Sequence, residues 1–180
     1  MSTGVWTNNW RAVKNLMVLG SYQYGLTTMV NDAGTTIETQ DGATARKYAY
    51  SAMTAYSLNN GSGTAYPFIV FGSGSTTPTA ADYTMGSTVG MSYVEQLNIY
   101  NVSLTVSGST VTRVVKLVIR NRSDSATVTI TEWGIEEQVN SNVVLLYHEL
   151  LDSPVTLQPN QSATLTLTLT MTLDDPVSGN

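Results

Sequence analysis

Residues 163 to 173 read Ala-Thr-Leu-Thr-Leu-Thr-Leu-Thr-Met-Thr-Leu, with Leu165, Leu167, Leu169, Met171 and Leu173 at every second position and threonine between them. A repeat of two puts every apolar side chain on one side of an extended backbone and every hydroxyl on the other, which a helix with 3.6 residues per turn cannot do. The stretch is therefore a strand with one buried face. At about 3.3 Å per residue it reaches roughly 35 Å, a length suited to a sandwich or barrel.

Upstream, residues 99–106, 113–121, 126–135 and 143–150 are further β-rich runs, separated by Ser-Gly-Ser-Thr, Arg-Ser-Asp-Ser and Gln-Val-Asn-Ser-Asn. Strands at such spacing predict a mainly β fold, an antiparallel β-sandwich or jelly roll with short helical segments. The composition agrees. Charged residues make up 12% of the chain, against roughly 25% in an average soluble domain, and the abundant threonine favours extended backbone. The first half is less decisive: residues 10–20 and 45–56 fit a short helix or a strand, while 31–36 and 59–64 read as loops. A chain of 180 residues is long enough for one principal domain. The expected organisation is a β-sandwich domain over 21–180 preceded by an N-terminal arm or extension over 1–20.

Several function classes fall away on composition. Without cysteine there is no disulfide framework and no thiolate chemistry, and a single histidine, His148, rules out a multi-histidine metal site. The net charge is -5 and no basic block exceeds the pair Arg46-Lys47, which speaks against a nucleic-acid partner. No apolar run approaches the roughly 20 residues that span a bilayer, and the N-terminal stretch lacks the charged region and cleavage site of a signal peptide. No membrane partner is expected, and the protein is expected to be made in a cytoplasm. The Asn-x-Ser sequons at Asn60, Asn101, Asn121 and Asn160 arise readily in a Ser-rich chain, so glycosylation is not expected.

Residues 67–85, Pro-Phe-Ile-Val-Phe-Gly-Ser-Gly-Ser-Thr-Thr-Pro-Thr-Ala-Ala-Asp-Tyr-Thr-Met, place a Gly-x-Gly turn after an apolar run, as phosphate-binding loops do. The Gly-Lys-Ser/Thr of a Walker loop and the third glycine of a dinucleotide loop are both missing. The stretch reads instead as a structural turn. In it Gly72 or Gly74 takes a positive φ, and Thr79 to Asp82 forms a capping box, with the Thr79 oxygen accepting from the amide three residues on and the Asp82 carboxylate reaching back to the Thr79 amide.

His148, beside Glu149 and near Asp152 and Ser153, invites a catalytic reading, but neighbouring residues of a strand point to opposite faces and no Gly-x-Ser-x-Gly elbow is present. A histidine near a strand end is expected to be solvated or simply hydrogen-bonded. Glu136-Glu137 and Asp174-Asp175 fit no calcium-loop pattern and are expected as solvated surface charge. Trp6, Trp10 and Trp133 could form a sugar-binding platform; the favoured alternative packs Trp133 in the core and sets Trp6 and Trp10 as anchors for a neighbouring subunit. No catalytic residue, cofactor or metal is expected.

Three blocks in order, Phe-Ile-Val-Phe-Gly-Ser-Gly-Ser-Thr-Thr-Pro-Thr-Ala-Ala-Asp-Tyr-Thr-Met, then Asn-Arg-Ser-Asp-Ser-Ala-Thr-Val-Thr-Ile-Thr-Glu-Trp-Gly-Ile, then the stretch from Leu145 through Pro154 to the Thr-rich strand, resemble a group of small structural proteins of tailed bacteriophages. Together they cover roughly residues 67 to 173. The resemblance implies a virion component that forms homo-oligomers and contacts other virion proteins, major capsid or tail proteins, with a lean toward head decoration. A tail, neck or baseplate protein and a carbohydrate-binding receptor module are the alternatives.

Overall fold

The computed structural model describes residues 4–12, 27–39, 68–90, 93–139 and 141–172. They form ten strands: β1 (Val5–Trp6), β2 (Thr27–Val30), β3 (Thr36–Thr39), β4 (Phe68–Gly72), β5 (Thr88–Val89), β6 (Val94–Ser107), β7 (Thr110–Asn121), β8 (Val128–Val139), β9 (Asn142–Leu157) and β10 (Ser162–Thr172). The chain is mainly β with antiparallel sheets, as the alternation requires, and a β-sandwich is compatible with it. Helical backbone occurs at residues 8–12. Among the described residues no helix is long and apolar enough to cross a membrane. The ambiguous segment 45–56, the loop 59–64 and the pair Asp174-Asp175 lie outside the described residues.

Two compact units divide the chain, and the expected boundary at residue 20 lies outside the described residues. The first joins the described residues up to Gly90 with Thr129–Thr156; the second joins those from Tyr93 to Val128 with Leu157 onward.

In the first unit a five-stranded sheet has the order β1-β9-β8-β4-β5. Val144, Leu145, Leu146, Tyr147 and His148 on β9 are all buried. Residues 128–132 of β8 read Val-Thr-Ile-Thr-Glu, and burial follows the alternation: Val128, Ile130 and Glu132 are buried, Thr129 is exposed. β2 and β3 form a hairpin whose turn carries Gly34 at φ 75. Its entry residue Asn31 accepts the amides of Ala33 and Thr35 with its side-chain oxygen, the local bonding for which asparagine is common in turns.

The second unit is a three-stranded sheet, β10-β7-β6. β10 alternates as its sequence demands: Leu165, Leu167, Leu169 and Met171 are buried, and the threonines from Thr164 to Thr172 are exposed. In the antiparallel register Leu165 lies opposite Leu117 and Leu167 opposite Val115, so one apolar face runs across both strands. The turn between β6 and β7 holds Gly108 at φ 57, a backbone that a β-carbon disfavours. Asn121 is fully buried, and its side-chain amide donates to the carbonyls of Ala126 and Leu157. This sequon asparagine is thus a fastener between two chain segments.

Candidate functional site

The polar centre of the first unit is built on two strands and one loop. β8 carries Glu132, β9 carries His148, and the 73–87 segment, which links β4 to β5, carries Asp82. His148 is 2% exposed and Glu132 is fully buried. The Nδ1 of His148 lies 2.7 Å from Asp82 Oδ2, and its Nε2 lies 2.8 Å from Glu132 Oε2. One imidazole thus bridges two carboxylates.

Glu132 gathers the loop as well as the histidine. Its Oε1 accepts the amides of Gly74 at 2.8 Å and Ser87 at 3.0 Å, and its Oε2 accepts the Gly86 amide at 3.3 Å. Burial by itself would raise the Glu132 carboxyl, but the Ser87 amide, the His148 ring and the Gly74 and Gly86 amides outweigh it and hold it below the ordinary Glu value. The same balance applies to Asp82. There too burial pushes upward, and hydrogen bonds from the Thr79 amide and hydroxyl, with the ring of His148, prevail and lower it. Both ring nitrogens of His148 are thus taken up by carboxylate oxygens, one from the loop and one from the sheet.

The expected structural turn is present, for a different reason than a positive φ. Neither Gly72 nor Gly74 is among the residues with positive φ. Gly72 pairs with Glu132 across the β4–β8 register, and a β-carbon there would sit 2.2 Å from Glu132 Oε1; at Gly74 it would sit 2.6 Å away. Glycine leaves room for the buried carboxylate. The Thr79 to Asp82 turn also differs in detail. The Asp82 carboxylate does accept the Thr79 amide at 2.9 Å, as a capping box requires. The Thr79 hydroxyl, however, donates to that same carboxylate at 2.7 Å, and residues 80–81 make a turn with no helix after it.

His148 is therefore neither solvated nor near a free strand end. It occupies the interior of β9, and its partners come from residues 66 and 16 positions away. Glu149 serves another side chain, accepting the Tyr147 hydroxyl at 2.6 Å. The pair Glu136-Glu137 is not solvated surface either: Glu137 is fully buried, and Glu136 is half-buried. Burial, with the Asp32 charge adding to it, pushes the Glu136 carboxyl up to about 7.

Trp6 and Trp10 pack within their own unit and not as a projecting arm. Trp10 is 5% exposed. Its ring centroid lies 4.7 Å from that of Trp6, which stands 5.0 Å from Tyr147; Trp133, itself buried as expected, stands 4.9 Å from Tyr147 on another side. Backbone and side-chain bonds tie down the rest of the segment. The Thr7 amide and hydroxyl donate to the carbonyls of Leu146 and Leu145, and Asn9 both donates to and accepts from Val30. Trp10, Trp133 and Tyr147 are buried in this aromatic group, and Trp6 is half-buried.

The chemistry open to the Asp82–His148–Glu132 cluster is limited by its own bonding. A general base needs an imidazole nitrogen with a lone pair directed at a substrate, and here each nitrogen faces a carboxylate oxygen. Among the described residues no group of three or more His, Asp or Glu side chains is arranged to hold a metal ion. The cluster acts as a staple: it fixes the 73–87 segment, by amide and by side chain, to two strands of the sheet. The sequence did contain a sign of Glu132, since a carboxylate on the inward phase of Val-Thr-Ile-Thr-Glu breaks an otherwise apolar series. Nothing in the sequence pointed to its pairing with His148. No protein-family model matches this chain, and no curated protein or solved structure matches it either.

Proposed function

We propose that the protein is a non-enzymatic structural component of a tailed-bacteriophage virion, a β-sandwich that assembles with copies of itself and with other virion proteins. A head decoration role is the first reading. The observation that carries it is the surface of β6. Among the described residues this strand is at the edge of its sheet, and Tyr100, Val102, Leu104 and Val106 along it are each more than half exposed. An edge strand that exposes large apolar side chains is a liability in a monomer and an asset in an assembly. The saturated bonding of His148 supports the non-enzymatic part of the reading, because the single histidine is committed to holding a loop in place. So does the resemblance of residues 67 to 173 to phage structural proteins. The decisive experiment counts this polypeptide in purified particles by quantitative mass spectrometry and locates it by electron microscopy. Many copies on the shell support decoration, a few to a few dozen place it in the tail or neck, and absence from particles refutes the proposal.

A further inference from the structure

Residues 96 to 112, which comprise most of β6, the turn and the start of β7, contain no charged side chain. Edge strands are normally guarded by charge, proline, a bulge or brevity. β6 carries one charge at its start, Glu95, and two bulges: the register with β7 shifts between Gln96 and Asn98 and again between Asn101 and Ser103. Beyond the second shift, residues 103 to 107 pair regularly with 114 to 110. Within this run Leu104 and Val106 are each 65% exposed. Through β7 they register with Arg113 and Val111, which lie opposite Leu169 and Met171 of β10. Leu104 and Val106 thus extend the apolar face of the sheet to the edge that is unpaired among the described residues.

We infer that the occupant of this edge is residues 103–107 of a second copy, paired antiparallel about a two-fold axis at Thr105. The inference names the partner of the surface on which the assembly reading rests. The run is self-complementary in that register: Leu104 meets Val106 of the partner subunit, Val106 meets the partner's Leu104, Ser103 meets the partner's Ser107, and Thr105 meets its own equivalent. Side chains opposite one another in an antiparallel pair share a face, so the four apolar groups cover each other and the hydroxyls gather on the other side. A two-fold axis perpendicular to the strand reverses one copy relative to the other, so a pairing of this edge with itself is antiparallel. An isologous contact of this kind closes on itself as a dimer and joins two three-stranded sheets into one.

Five residues a side make a contact smaller than the roughly 1,000 Å² of a free-standing stable interface, so the test traps it. The chain has no cysteine, and each introduced thiol is therefore the only one. Opposed residues of an antiparallel pair have Cα atoms about 4.5 to 5.5 Å apart, within the span of a disulfide. Under mild oxidation of the full-length protein, Thr105→Cys is expected to form a covalent dimer at least about tenfold faster than Ser103→Cys or Ser107→Cys alone. Mixing the Ser103→Cys and Ser107→Cys proteins should give the heterodimer. Adding Leu104→Lys and Val106→Lys to Thr105→Cys should slow the cross-link by a similar factor while the melting curve holds. Thr105→Cys that links no faster than Ser103→Cys, a mixture that yields no heterodimer, or linking indifferent to the lysines would each overturn the pairing. Failure here with the chain still abundant in particles would refute this register alone; linking by a chain absent from particles would refute the virion reading alone.

Discussion

His148 Nε2 and Glu132 Oε2 lie 2.8 Å apart, with both side chains closed to solvent. Removing one member of such a pair leaves the other buried with an unmet charge or hydrogen bond, which is where the large effects on stability lie. His148→Leu is expected to lower unfolding free energy by about 3 to 5 kcal/mol. Asp82→Asn, at the more open end of the bridge, should cost less. Urea titrations of the two variants side by side make the comparison, and a His148→Leu protein as stable as the parent would deny the bridge its role.

The glycines separate crowding from backbone conformation. Gly72→Ala puts a methyl group into the Glu132 carboxylate, whereas the nearest atom to a β-carbon at Gly86 is the Gly74 Cα at 3.3 Å. Gly72→Ala should destabilise by about 2 kcal/mol or more and Gly86→Ala by distinctly less. Shortening the carboxylate should relieve the first effect, so Gly72→Ala combined with Glu132→Asp is expected to lose less than the two single losses added together. Strict additivity in thermal unfolding would count against the clash.

Acidity should act in two opposite directions. Asp82 and Glu132 are held below their ordinary values, so the unfolded chain binds more protons than the folded one at low pH. Their contribution is present above the ordinary carboxylate range, near pH 4, and is lost as the pH falls through their folded values. Glu136 behaves in reverse. Its carboxyl is raised from 4.5 to about 7, so its contribution is full below about pH 4.5 and declines up to about pH 7. Glu136→Gln should flatten the stability profile between these limits and leave the acid limb in place. Denaturation midpoints at pH 4.5, 6 and 7.5 measure it, and an unchanged slope would reject the raised carboxyl.

The alternation of β10 is tested by adjacent substitutions. Leu167→Asp places a carboxylate in the apolar layer opposite Val115 and should cost on the order of 4 kcal/mol. Thr168→Asp, on the exposed side, should shift stability by about 0.5 kcal/mol or less. Equal losses by circular dichroism would contradict the one-sided burial.

Deleting residues 1–12 removes β1, Trp6, Trp10 and the bonds of Thr7 and Asn9 to the β9 and β2 backbones. The truncated chain is expected to melt well below the parent. Were it to melt at the same temperature and lose only its place in particles, the segment would be an arm after all.

By itself the sequence determined the β character, the five long strands of the second half and the face that β10 buries. Alternation is a local property: one residue decides its neighbour's side, and Leu165 to Met171 needed no distant partner to declare theirs. Turn chemistry was local too, as at Gly34 and Gly108. The need for glycine at 72 was legible as a turn signal, but its cause was not, because the crowding atom belongs to Glu132 on another strand. The roles of His148, Trp6 and Trp10 were decided only by the tertiary structure. A histidine with Glu149 beside it in sequence finds its carboxylates at Asp82 and Glu132, and the tryptophans close on Tyr147, far along the chain. Strand order brings those groups together, and strand order is set by the summed packing of whole sheets, which no short stretch of residues records.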